Sequence, residues 1–145
     1  MPSATIVEIA DAVVADLNAA TLSQPLSAQR LYVPSFCAQD LAELKVVVVP
    51  RAEDGSTASR SATQHEYTID VGLLKRVPNA TPAEVDPLML LTQEIGDYFR
   101  FRSPAGRTER WLRTEVRVPF SPEHMEQQRQ FLAVLSIIFV GLRGA

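Results

Sequence analysis

At 145 residues, with 46% hydrophobic and 21% charged side chains, the chain has the size and texture of one globular domain around a single core. A formal net charge of −3 excludes a globally basic nucleic-acid binder and leaves only a local cationic patch for such a role. The lone cysteine, Cys37, excludes an intrachain disulfide, a multi-thiol zinc cluster and a CxxC redox pair.

Cys37 reads as a small buried apolar residue kept reduced. The start of the chain has no basic segment followed by a long apolar one, so no signal peptide is expected. The longest apolar run, 131–142, falls short of the roughly 20 residues that span a bilayer. The expectation is a soluble protein made in the cytoplasm, with no membrane contact.

The first predicted element is a helix over 4–18. Thr5 and Glu8 have capping-box spacing, and Ile6, Ile9, Ala10, Val13 and Leu17 recur at helical intervals. A connection containing Pro25 leads to a short strand, Arg30-Leu31-Tyr32-Val33, stopped by Pro34. One helical turn is expected around Asp40 and Leu44. The run Lys45-Val46-Val47-Val48-Val49 is the strongest strand signal, β-branched throughout and buried on both faces, with Pro50 as its end.

Residues 51–64 are small and polar, and little there offsets the entropy of ordering. They read as a long, mobile hairpin loop. The next strand alternates, with Tyr67, Ile69, Val71 and Leu73 on one face and Glu66, Thr68, Asp70 and Gly72 on the other. Thr81-Pro82-Ala83-Glu84 then starts a second helix, whose apolar stripe is Val85, Leu88, Met89, Thr92, Ile95 and Phe99. Pro87 falls early enough to be tolerated. Gly96, costly in a helix, marks a close approach of helix and sheet.

After a turn at Ser103-Pro104-Ala105-Gly106, alternation over 111–118 predicts another strand. Ser121-Pro122-Glu123 suits a brief helical turn reaching Gln127. The segment 134–140 is dominated by branched and aromatic residues and reads as a final strand. The order helix, three strands, helix, two strands indicates a single α+β domain over 1–145. It should hold an antiparallel or mixed sheet of four to five strands with two main helices against it.

Chemistry-bearing patterns are sparse. His65 and His124 have no partner at metal-ligand spacing and read as surface residues. Ser56, Ser59 and Ser61 lie in no GxSxG or SxxK frame, and no local base accompanies them. The acid pairs Asp11 with Asp16, Glu94 with Asp97 and Glu123 with Glu126 are ordinary for solvated faces. No glycine-rich phosphate cradle is present in the sequence. The expectation is no catalysis, no metal and no cofactor.

One charge feature stands out. Arg100, Arg102, Arg107, Arg110, Arg113 and Arg117 crowd the region between the second helix and the following strand. They read either as a solvated loop partly paired to Glu109 and Glu115, or as an edge that meets an acidic partner or nucleic acid. Trp111 among them is either core or an interface anchor. With Arg51 and Arg60 of the loop, these residues form the candidate partner interface.

Three stretches carry a family resemblance. They are His65-Glu66-Tyr67-Thr68-Ile69-Asp70-Val71-Gly72-Leu73-Leu74-Lys75, the helix over 82–102, and Ser121-Pro122-Glu123-His124-Met125-Glu126-Gln127 leading into 131–143. In order and texture the chain resembles the tail-terminator or tail-completion proteins of long-tailed bacteriophages. Adaptor and stopper proteins of the same neck region are the neighbouring alternative, and a small nucleic-acid-binding module using the Arg100–Arg117 cluster is another.

The resemblance implies a virion protein forming a homo-hexameric ring, its sheets contributing to a continuous inner wall. Such a ring ends tail-tube polymerisation and joins the tail to the head connector, with DNA passing through its lumen unread. It also implies arginines pairing across subunits with acids such as Asp11, Asp16 or Glu94.

Overall fold

A computed structural model of the chain describes residues 3–32, 40–118 and 129–144, except for the side chains of Arg117 and Val118. The elements are helix α1 (Thr5–Ala19), strand β1 (Ala28–Arg30), a 3-10 turn (Asp40–Ala42), strands β2 (Lys45–Thr57) and β3 (Ala62–Arg76), helix α2 (Pro82–Phe99), and strands β4 (Arg110–Val118) and β5 (Gln130–Gly144). This is an α+β fold with the expected chain order. The brief helix expected at 121–127, the end of the first strand at Val33 and the burial of Cys37 lie outside the described residues.

The strands form one sheet in the order β1-β2-β3-β5-β4. β1 runs parallel to β2, and every other pairing is antiparallel, so the sheet is mixed. Its axis is the β3–β5 ladder, unbroken from Ala62 opposite Gly144 to Arg76 opposite Gln130. Long apolar stretches on both strands make this register hard to slip, because a one-residue shift would turn the core face to solvent.

Both helices cover the same face. Val46, Val48, Tyr67, Ile69, Val71, Leu73 and the alternate residues Phe131, Ala133, Leu135, Ile137 and Phe139 point into one core. α1 meets them with Ile9, Ala10, Val13 and Leu17, and α2 with Leu88, Leu91, Ile95 and Phe99. Each such side chain fully withdrawn from water contributes about 1.5–3 kcal/mol, which holds the two helices to the sheet. α1 packs over β1, β2 and β3, whereas α2 packs over β5. The outer strand β4 is therefore only partly covered.

The structure corrects several boundaries. β2 does not end at Pro50 but continues to Thr57 past a register irregularity between Pro50 and Ala52. Proline is tolerated there because β1 covers only Val46, Val47 and Val48, which leaves the following residues at a sheet edge where a missing N–H costs little. The mobile loop expected at 51–64 is instead an antiparallel ribbon closed by residues 58–61. In that turn Ala58 and Ser59 both donate their N–H to Ala62 O, at 3.2 and 3.1 Å. Composition alone weighs side-chain burial; here the order comes from the backbone ladder and from polar cross-strand contacts.

The helix starts also differ from expectation. Ala4, not Thr5, is the N-cap of α1, and no side chain caps it; Glu8 is drawn away into an ion pair with Arg107 at 2.8 Å. At α2 the cap is Thr81 as expected, but its hydroxyl reaches Glu84 Oε1 at 3.4 Å, and Glu84 accepts the N–H of Asn79 at 3.0 Å. A Cβ placed on Gly96 would lie 3.4 Å from Leu135 Cδ2, an ordinary contact, so the expected close approach of helix and sheet does not account for this glycine. Among the described residues, no helix is long and apolar enough to cross a membrane.

Candidate functional site

The arginines gathered in sequence are dispersed in space. Arg107 is fully engaged within the chain: its guanidinium makes two bonds to Glu109, at 2.9 and 3.1 Å, and one to Glu8 at 2.8 Å. These contacts, Glu109 foremost, hold it even more firmly protonated than an ordinary arginine. Glu109 is itself buried and lies flat on Gly141, where an added Cβ would meet Glu109 Cγ at 2.9 Å.

Arg113 reaches Glu115 at 3.3 Å and Glu66 at 3.8 Å on the sheet face away from the helices. Arg102 donates to Tyr98 O at 3.0 Å and stacks its guanidinium 4.1 Å from the Tyr98 ring centre. Arg51 lies 3.6 Å from Asp70, which also accepts a 2.7 Å bond from Ser136 Oγ. The side chains of Arg60, Arg100 and Arg110 are exposed and have no partner among the described residues. Arg60 belongs to the ribbon turn, Arg100 to the end of α2 and Arg110 to the start of β4, so they form no single patch.

The acids expected to pair across subunits are occupied inside the chain. Asp11 holds Arg30 at 2.6 Å. Asp16 accepts the N–H of Ala105 at 3.0 Å, and Glu94 that of Ser23 at 3.2 Å. Partial burial raises the Asp16 carboxyl above the ordinary range, against the opposing pull of the Ala105 amide and Arg102.

Trp111 takes up the core role in part. It packs against the core and donates from Nε1 to Thr114 Oγ1 at 2.9 Å. Its outer edge meets the ring of Phe101 at 5.0 Å, and Phe101 is 85% exposed with a left-handed φ of 61°. On the other side Trp111 walls an open groove of about 680 Å³ between α2 and β4. Leu135 and Gly96 line its floor, and Met89, Leu90 and Val116 line its sides. Leu90 is 49% and Val116 46% exposed, which is unusual for side chains so close to a core.

The sheet edges are the second feature. β4 has no outer partner among the described residues, and two register irregularities break its pairing with β5. Beyond Val48, β2 also lacks an outer partner among the described residues. One edge carries Arg110, Arg113 and Glu115, the other Arg51, Glu53 and Asp54.

One constellation was not anticipated. On the ribbon, Thr63 Oγ1 lies 2.8 Å from His65 Nε2, and His65 Nδ1 comes within 2.8 Å of Glu53 Oε2 without hydrogen-bond alignment. The order hydroxyl, imidazole, carboxylate matches a proton relay. Glu53 Oε2, however, accepts from Arg143 Nη2 at 3.1 Å, and the same nitrogen reaches Tyr67 Oη at 2.8 Å. The row ties β2, β3 and β5 together. The i, i+2 spacing of Thr63, His65 and Tyr67 was its only trace in the sequence; Glu53 and Arg143 join through register alone. Among the described residues, no group of three or more His, Cys, Asp or Glu side chains is placed to hold a metal ion. No protein-family model matches the chain, and a comparison with curated proteins returns no match.

Proposed function

We propose that this chain is a structural subunit of a ring at the head-proximal end of a phage tail. The ring ends tail-tube polymerisation and joins the tail to the head connector, acting through shape and not through catalysis. Its partners are further copies of itself, most simply six, the tail-tube protein, the connector, and DNA passing through the lumen without sequence recognition.

The observation that carries this reading is the pair of unlike open edges on one sheet. A contact between two different edges of identical subunits is heterologous, and such contacts generate rings when the rotation closes. Arg110 on the β4 edge and Asp54 on the β2 edge are exposed, opposite in sign and without a side-chain partner among the described residues. The irregularities and charges of β4 oppose indiscriminate strand pairing, so a specific partner strand is favoured over aggregation.

The nucleic-acid reading loses ground because Arg107 and Arg113 are neutralised by acids of the same chain and the remaining arginines diverge. The purified chain, imaged alone and with tail tubes, tests the proposal. Closed rings that bind tube ends are expected. A subunit that stays single beside tubes and binds DNA with a steep salt dependence would replace it with the nucleic-acid reading. Rings that bind the head connector but not tubes would make it an adaptor or stopper.

A further inference from the structure

The face of α2 turned away from the core carries an internal symmetry. Asp86, Leu90, Gln93, Asp97 and Arg100 are all exposed and follow one another at steps of four, three, four and three residues. That spacing sets them in one stripe along the helix. Gln93 is its midpoint, with Asp86 seven residues before and Arg100 seven residues after. At 1.5 Å per residue each charge stands about 10 Å from the centre. Neither Asp86 nor Arg100 has a side-chain partner among the described residues.

From this we propose that the stripe and its flanking groove dock a second copy of the chain, α2 against α2, antiparallel about a twofold axis at Gln93. In that arrangement Asp86 faces the partner's Arg100 and Arg100 faces the partner's Asp86, while the helix dipoles oppose. Leu90, three residues before the axis, comes level with the partner's Gly96, three residues after it. The half-exposed Leu90, Met89 and Trp111 then lose contact with water, which the monomer does not achieve.

Gly96 lies on the groove floor beside the stripe. A Cβ there would make only ordinary contacts, 3.4 Å to Leu135 Cδ2 and 4.0 Å to Thr114 Cγ2, so the fold of one copy does not require glycine. Glycine in a helix interior nevertheless costs about 1 kcal/mol relative to alanine. The absent side chain leaves the groove floor beside the stripe open. The contact is isologous and distinct from the edge-to-edge contact of a ring, so it does not depend on the ring.

Two measurements on the full chain test it. In sedimentation, Asp86→Arg and Arg100→Asp should each weaken self-association about tenfold, because each creates two like-charge contacts per dimer. The double variant D86R/R100D should return to within about threefold of the original. In a Cys37→Ser background, Gln93→Cys should form a covalent pair under mild oxidation at least about tenfold faster than the exposed control Glu43→Cys. Single reversals that leave association unchanged overturn the proposal, as does a double variant no better than the singles. So does pairing of Gln93→Cys no faster than the control. Rings that persist while Gln93→Cys fails to pair would remove the dyad and leave the ring standing.

Discussion

Gly106 occupies a left-handed φ of 71° with nothing within 4 Å of where a Cβ would sit. Its role is purely conformational, so Gly106→Ala should destabilise the fold by about 1 kcal/mol, read as a lower midpoint in chemical denaturation. Asp16 is a different kind of residue problem, since its partly buried carboxyl resists ionisation. The folded state therefore holds this proton more tightly than the unfolded state. Its contribution to stability is present at pH below the ordinary carboxylate range and is lost as pH rises through the raised folded value. Asp16→Asn keeps an oxygen for the Ala105 amide and removes the charge. In melts from about pH 3 to about pH 7, the variant should match the original at the acid end and exceed it increasingly toward neutrality. A difference that shrinks with rising pH would refute the assignment.

At the level of elements, α2 and the ribbon make separable predictions. Gly96→Ala should raise monomer stability by up to about 1 kcal/mol through helix propensity, measured by denaturation at a concentration where the chain is single. The ribbon depends on the end of β5, where residues 141–144 pair with 62–65 and Arg143 binds Glu53 and Tyr67. Truncation after Val140 should speed amide exchange in residues 52–57 about tenfold or more while leaving core strands protected.

The sequence made the helices, the valine-rich centre of β2 and the alternation of β3 readable, because each rests on a local pattern with a strong period. The ribbon escaped because its order lies in backbone pairing with strands distant in sequence, which no window over 51–64 contains. Arg107 was legible as a charge but not as a partner of Glu8, since ninety-nine positions separate the two. Trp111 was legible as an anchor or a core residue, but the groove beside it needed α2 to stop short of β4.

At the scale of the whole molecule, the two proposed contacts differ in symmetry: unlike sheet edges joined head to tail, and a helix face joined to itself. On those proposals, both contacts together would give stacked rings, and either one alone a ring or a dimer. Charge reversal at Asp86 or Arg100 should separate the two, reducing stacked particles to single rings without lowering their rotational order.

The position of β5 also has a consequence for how the protein is made. β5 follows β4 in the chain yet lies inside the sheet, between β3 and β4. Until it emerges from the ribosome, β4 lacks its one partner among the described strands, and the core lacks Phe131, Ala133, Leu135, Ile137 and Phe139. A polypeptide cut before β5 therefore cannot hold β4 in the sheet, and its outer edge does not form.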